Sequence, residues 1–219
     1  MRIPGILAMV ISIGIAHDEV NAEGRLQPAP FKSGRSVVMA ANGIVATSHP
    51  LAAEIGLDIL KRGGNAIDAA IATNAAIGLM EPMSCGIGGD LFAIVWDNKS
   101  QKLYGLTASG RIPYAATIES FHKRKLTEIP DTGPLSWSVP GCVDGWEELR
   151  KKFGTMSFEQ ILAPTIRYAE EGFPVPPVIG GSWRGGETKL KSYPESAKVF
   201  LPGGRAPQVG EMFKNPALA

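Results

Sequence analysis

The run Glu81-Pro82-Met83-Ser84-Cys85-Gly86-Ile87-Gly88-Gly89-Asp90-Leu91-Phe92 constrains this chain more than any other stretch. An alanine-rich helical pattern leads into it, and Leu91-Phe92-Ala93-Ile94-Val95-Trp96, which reads as a buried strand, leads out. A dinucleotide fingerprint or a P-loop needs its glycines after a strand and at the opening of a helix, where the helix N-terminus meets a phosphate. Here the order is reversed, no Gly-Lys-Ser/Thr ending follows, and Asp90 would repel an anion. The glycines are therefore expected to serve tight backbone geometry and close packing between a helix layer and a sheet.

Around the loop, helical and strand patterns mix, which predicts an α/β (α+β) domain. Residues 36–41 and 44–47 are strand-like, and Asn42-Gly43 between them is a strong hairpin signal. Ser48 is placed to cap a helix in which Leu51, Ile55, Ile59 and Leu60 recur at helical spacing and which Gly63 ends. Asn65 can cap a second helix, Ala66 to Leu79, whose alanines leave little bulk on several faces. The two helices are expected to form one layer over the strands. After the loop, Asp97 to Ser100 reads as a turn and Lys102 to Leu106 as the returning strand. Residues 118–133 are looser, with Lys123-Arg124-Lys125 as a solvated face. Val143 to Phe153 is a helix with Trp146, Leu149 and Phe153 on one side. Ser157 and Gln160 form a capping box for another, interrupted by Pro164 and running to Glu171-Gly172. From Phe173 onward Pro and Gly mix helix-like and extended pieces whose order is not legible. Asn215-Pro216-Ala217-Leu218-Ala219 has the form of a helix opening, so the chain is expected to be the front of a longer protein.

With 219 residues, 44% of them hydrophobic, the chain can bury a core, and residues 36–219 are assigned to one domain. A formal net charge of +1 with scattered Lys and Arg gives no basic stripe for a phosphate backbone, so no nucleic-acid partner is expected. Residues 1–22 resemble a secretory signal cleaved after Ala22. The apolar run Ile3 to Ala16 falls short of the roughly 20 residues of a membrane span. This points to a periplasmic or extracellular protein, with a cytoplasmic one as the alternative, and residues 23–35 read as a linker. Cys85 and Cys142 are too few for a disulfide framework and are expected to be small buried hydrophobes. His17, His49 and His122 are far apart in sequence and form no ligand pattern, so no metal is implied. A cysteine hydrolase built on Cys85 and His49 would require the two within hydrogen-bond reach. Arg111, just past a strand end between Gly110 and Ile112-Pro113, is placed to offer a fork to a carboxylate; the alternative is a surface arginine.

Taken together, these motifs resemble a family. Ala46-Thr47, then Gly63-Gly64-Asn65-Ala66-Ile67-Asp68-Ala69-Ala70, Glu81-Pro82 and Gly86-Ile87-Gly88-Gly89-Asp90-Leu91-Phe92 look like the start of gamma-glutamyltransferases. Ser138-Val139-Pro140-Gly141, Gly145-Trp146, Phe153-Gly154 and Leu162-Ala163-Pro164 to Phe173 continue the series in the same order. The resemblance covers residues 36–219 and implies an N-terminal-nucleophile hydrolase, an αββα sandwich of which this chain holds the front of the large subunit. Such proenzymes cleave themselves, and a threonine freed at the start of the small subunit attacks the amide of glutathione or a related compound, a chemistry for which the resemblance implies no cofactor. That threonine has no match here. Thr47, Thr73, Thr107 and Thr117 are internal, so no catalytic residue is assigned and the chain alone is expected to be inactive. Its expected partners are a small-molecule amide such as glutathione and the C-terminal part that forms the small subunit.

The resemblance also implies an arginine for the substrate α-carboxylate. Counted back from Pro113, its usual position holds Ser109, with Arg111 two residues later, so Arg111 is the substrate-binding candidate. This departure leaves three readings: a gamma-glutamyltransferase or glutathione hydrolase, a related amidase or acylase acting on a non-glutamyl amide, or a non-catalytic binding chain.

Overall fold

Pro50, which has no N–H to leave unpaired, opens the first helix of the computed structural model, α1 (Pro50–Lys61). The structure describes residues 37–219; the expected leader and linker lie outside them. The chain divides into two units, Met1–Ala41 and Asn42–Ala219, and the second holds all the elements that follow. His49 stands at the N-cap of α1 without a side-chain cap bond, and Ser48 instead donates from Oγ to Glu81 Oε1 at 2.7 Å. At the other end Gly63 N–H donates to Leu60 O and Gly64 N–H to Ile59 O, with Gly63 at φ 90°. This paired closure needs a left-handed residue, which glycine supplies.

Helix α2 (Ala66–Met80) begins with a reciprocal capping box: Asn65 Oδ1 accepts from the N–H groups of Ile67 and Asp68, and Asp68 accepts from Asn65 N–H. It is apolar on nearly every face and accordingly central, packed against α1, α4 (Cys142–Phe153) and α5 (Phe158–Glu171). Ile59, Ile71, Leu79, Met80 and Ile161 are essentially fully buried, each contributing roughly 1.5–3 kcal/mol of burial energy. The capping box of α5 forms as expected between Ser157 and Gln160. That helix runs through Pro164 without a break; the proline removes only one ladder donor and is buried against the core.

The expected hairpin after the glycine loop is present. Strands β1 (Leu91–Asp97) and β2 (Lys102–Ala108) pair antiparallel from Leu91↔Ala108 to Asp97↔Lys102. Its inward face meets α4, where Gly145 admits the strands: a Cβ there would stand 2.6 Å from Leu91 Cδ2 and 2.8 Å from Ala108 Cβ. The predicted layer of α1 and α2 over the strands is therefore corrected. With small residues on all sides, α2 is enclosed by helices, and α4 alone of the three meets the hairpin closely.

A second correction concerns residues 37–47, which form no strand. Neither Asn42 nor Gly43 has the positive φ of the expected turn. Val45 packs on the core at Gly56 of α1 instead of facing a partner strand. Farther on come α3 (Ile118–Lys123), β3 (Phe173–Pro174), α6 (Pro177–Gly185), α7 (Glu187–Lys191), α8 (Pro194–Phe200) and β4 (Met212–Phe213), with β3 and β4 paired antiparallel. Trp183 organises this part, its ring against Phe213 at 4.6 Å between centroids and its Nε1–H donating to Phe200 O at 2.8 Å. Residues 215–219 make one turn closed by Leu218 N–H on Asn215 O, and not the expected helix.

Candidate functional site

Where α2 stops, Glu81 is buried and organises the start of the loop. Its carboxylate receives Ser48, and its carbonyl accepts the N–H groups of Ser84 and Cys85 at 2.9 and 3.1 Å. Gly89 N–H then donates to Gly86 O, and Gly89 O accepts from both Gly141 and Cys142 N–H at 3.2 and 3.1 Å. The loop is thereby tied to the N-terminus of α4. The expectation that its glycines serve close packing holds in the loop only where the Gly86 backbone rests on Gly78 of α2: residues 84–88 are exposed, and nothing lies within 4 Å of where a Cβ would stand on Gly86 or Gly88. Closer packing occurs one segment away. Gly110 has φ 75°, and a Cβ on it would collide with the Val139 carbonyl, while one on Gly141 would collide with Ala108 O.

That contact positions Arg111. Its carbonyl accepts Val139 N–H at 3.0 Å, and its guanidinium is exposed, with no hydrogen bond or ion pair among the described residues. Ser109, where the resemblance expects the arginine, is half-buried. Nearby, Ser138 Oγ donates to Asp90 Oδ1 at 3.3 Å, linking the 138–141 strip to the loop.

Beside the loop lies an open, largely apolar cavity of about 940 Å³. Asn74 of α2 stands on its wall, accepting Trp146 Nε1–H on Oδ1 at 2.9 Å and Cys142 Sγ at 3.7 Å. Thr165 of α5 lines it too, its buried hydroxyl without a partner among the described residues. Neither was singled out from sequence. The available signal was a polar side chain in the middle of an otherwise apolar helix, Asn74 among alanines and isoleucines.

Cys142 is buried, as expected of both cysteines, but Cys85 is exposed, which corrects that expectation: its loop leaves the core at Glu81. The cysteine-hydrolase arrangement is not formed. His49 is buried with neither ring nitrogen hydrogen-bonded among the described residues, its ring edge-on to Phe173. Partial desolvation of the thiol, with the Glu81 carboxylate adding to it, pushes the Cys85 pKa upward. Burial also lowers the His49 pKa, against the smaller opposing pull of Glu81. Of the internal threonines, Thr73 is buried in α2, Thr107 lies in β2 and Thr117 caps α3.

At the opposite end of α2 a second polar centre forms. Asp68 is fully buried and accepts Thr155 Oγ1 at 2.6 Å, Thr155 N–H at 3.0 Å and Met156 N–H at 3.3 Å, besides Asn65 N–H. Burial works to raise its pKa, but these hydrogen bonds together outweigh burial and hold it below the usual carboxylate range.

The chain matches the Gamma-glutamyltranspeptidase family model over residues 52–219. It is 38% identical to the glutathione hydrolase proenzyme of Bacillus subtilis (strain 168) over 195 residues, which is 87% of this chain and 33% of that protein. Among solved structures, it superposes on cephalosporin acylase from Bacillus halodurans with a TM-score of 0.80 at 46% identity, covering 88% of this chain and 37% of that one. On the Helicobacter pylori gamma-glutamyltranspeptidase the TM-score is 0.78 at 32% identity, covering 84% of this chain and 53% of that one. The mixed helix and sheet architecture is thus one part of the N-terminal-nucleophile hydrolase fold, as the sequence resemblance implied, and the chain spans about a third of the curated relative's length. On this evidence the chain belongs to the gamma-glutamyltranspeptidase family.

Proposed function

We propose that this chain is the front of a gamma-glutamyltransferase or glutathione hydrolase that cleaves γ-glutamyl amides through an acyl-enzyme. The nucleophile is an N-terminal threonine contributed by a C-terminal part outside this chain, its own amine serving as base. The observation that supports this most directly is the family match across residues 52–219, which takes in the glycine loop, the hairpin and α4. The outer face of the hairpin agrees with it: Phe92, Ile94 and Trp96 are 67%, 81% and 55% exposed, an apolar surface suited to the missing part. Arg111 holds the substrate carboxylate, and the chain alone is inactive. Export to the periplasm or beyond remains the reading of residues 1–22.

A second reading, an acylase of the same fold acting on a non-glutamyl amide, is favoured by one specific feature. Ser109 replaces the expected arginine, and Gly110 is fixed against Val139, so Arg111 reaches outward from a different point of the strip. The 46% identity to a cephalosporin acylase structure is consistent with it. The two readings part on the full-length, self-processed protein assayed with glutathione and with acylated β-lactams. Turnover of glutathione supports the first, and turnover of the acylated β-lactam alone replaces it with the second. With the preferred substrate, Arg111→Ala should raise KM about 10-fold or more with a smaller change in kcat, the loss of one charge-assisted contact. An unchanged KM rejects Arg111 as the carboxylate ligand.

A further inference from the structure

The two cysteines lie 57 positions apart in sequence, yet both line the cavity beside the glycine loop. The two segments that carry them lie over one face of α2. Gly86, the residue after Cys85, rests on Gly78, where an added Cβ would be 3.4 Å from the Gly86 Cα. Cys142 Sγ is 3.7 Å from Asn74 Oδ1, and Asn74 stands one turn before Gly78, an axial rise of about 6 Å. The two backbones are also joined directly by the Cys142 N–H bond to Gly89 O. Cys85 is exposed and Cys142 buried, so one thiol can be reached by solutes and the other only by a group already in the site. Between Cys85 and the tie at Gly89, the open surroundings of Gly86 and Gly88 leave the loop free of side-chain obstruction if Cys85 turns inward.

We propose that Cys85 and Cys142 form a two-thiol redox site, which a small-molecule disulfide oxidises to an intramolecular bridge locking the glycine loop onto the start of α4. In the first step the Cys85 thiol loses its proton, and the thiolate attacks one sulfur of the small disulfide. A protein–small-molecule mixed disulfide forms and one small thiolate leaves, taking up a proton. The Cys142 thiolate then attacks Cys85 Sγ, the Cys85–Cys142 bond forms, and the second small thiolate departs. Two protein thiols are oxidised and one small disulfide is reduced to two thiols, so electrons and protons balance. Desolvation, partial at Cys85 and fuller at Cys142, raises both thiols, with Glu81 adding to the effect at Cys85, and the Cys85 charge followed by that of Asp90 adding to it at Cys142. Both steps are consequently faster at alkaline pH. The bridge would fasten the mouth of the cavity from its two sides.

The test uses the symmetric disulfide of 2-mercaptoethanol, which has no γ-glutamyl group, so its result is independent of the proposed enzymatic activity. After incubation and acid quench, the thiol titre in denaturant should fall from two per chain to none. No mercaptoethanol mass should remain on the protein, and a non-reduced digest should contain the Cys85 peptide joined to the Cys142 peptide. Cys142→Ser should stop at a single mercaptoethanol adduct on Cys85, and Cys85→Ser should leave Cys142 unmodified. Wild-type protein that keeps the adduct on Cys85 with Cys142 free, that links chain to chain, or that retains both thiols would overturn the proposal.

Discussion

The two ends of α2 are built in opposite ways. At its start Asp68 is sealed from solvent with every hydrogen bond supplied from within the chain, by Asn65, Thr155 and Met156. At its end the backbone emerges into an exposed glycine loop beside an open cavity, with a buried hydroxyl on Thr165 that has no partner among the described residues and an apolar strand face turned outward. A buried carboxylate that is fully satisfied fixes geometry, because each lost bond exposes a desolvated charge. An open loop and a bare apolar face mark surface still available for contact. The first end anchors the helix to the α4–α5 connection; the second presents it for function.

Breaking the anchored end should have the largest effect. Asp68→Ala removes the acceptor for four donors, including two backbone N–H groups of the α4–α5 connection, and opens a void beneath Gly154. The expected loss is about 3 kcal/mol or more, read as a lower urea midpoint with a nearly constant slope. A loss under about 1 kcal/mol would show that the node is replaceable by water and would dissolve the contrast between the two ends.

The anchored end was also the legible one. Asn65 with Asp68 three residues on, the Gly63-Gly64 closure of α1 and the Ser157–Gln160 box are local signals, and local signals place helix ends without knowledge of the fold. The β1–β2 hairpin was legible for the same reason, its turn held by Asp97 accepting from Lys99 N–H and Ser100 Oγ. The open end depended on distant partners. Whether residues 37–47 pair as strands, whether Cys85 is buried, and that Asn74 reaches Trp146 are all decided by segments remote in sequence. Local pattern predicts strands at residues 36–41 and 44–47, and over the described residues tertiary packing of Val45 on α1 prevails. The short helices α6 to α8 escaped detection because prolines and glycines, which usually punctuate, here open helices at Pro177 and Pro194.

A pH titration sharpens the comparison from the helix flanking both ends. His49 is buried at the N-cap of α1 with its neutral form favoured, because burial depresses its pKa. Its folded value lies below the unfolded one of about 6.5, so the unfolded state binds more protons in between. The stability contribution is therefore complete above about pH 6.5 and is lost as pH falls through the depressed folded value. Asp68 acts in a separate, more acidic window, its contribution lost below the unfolded carboxylate value of about 3.9. His49→Phe, which keeps a ring against Phe173, should flatten the fall in urea midpoint between about pH 6.5 and 5.5. Parallel profiles for the variant and the wild type would assign that fall to other groups.

The smallest expected effect in this chain bears most directly on what the open end is for. Ile94 projects from the middle of β1 on the uncovered face, 81% exposed and opposite Gly105. A side chain already in water has little burial energy to lose, so Ile94→Ser should change the stability of the 219-residue chain by less than about 0.5 kcal/mol. In the longer protein proposed above, the same substitution should cost about 1–3 kcal/mol if the proposed C-terminal part covers this face, since an apolar contact is then replaced by a buried hydroxyl. Paired urea titrations of the two lengths measure the difference. An equal, small effect in both would mean that the outer face of the hairpin stays in solvent, and that the C-terminal part meets this chain elsewhere.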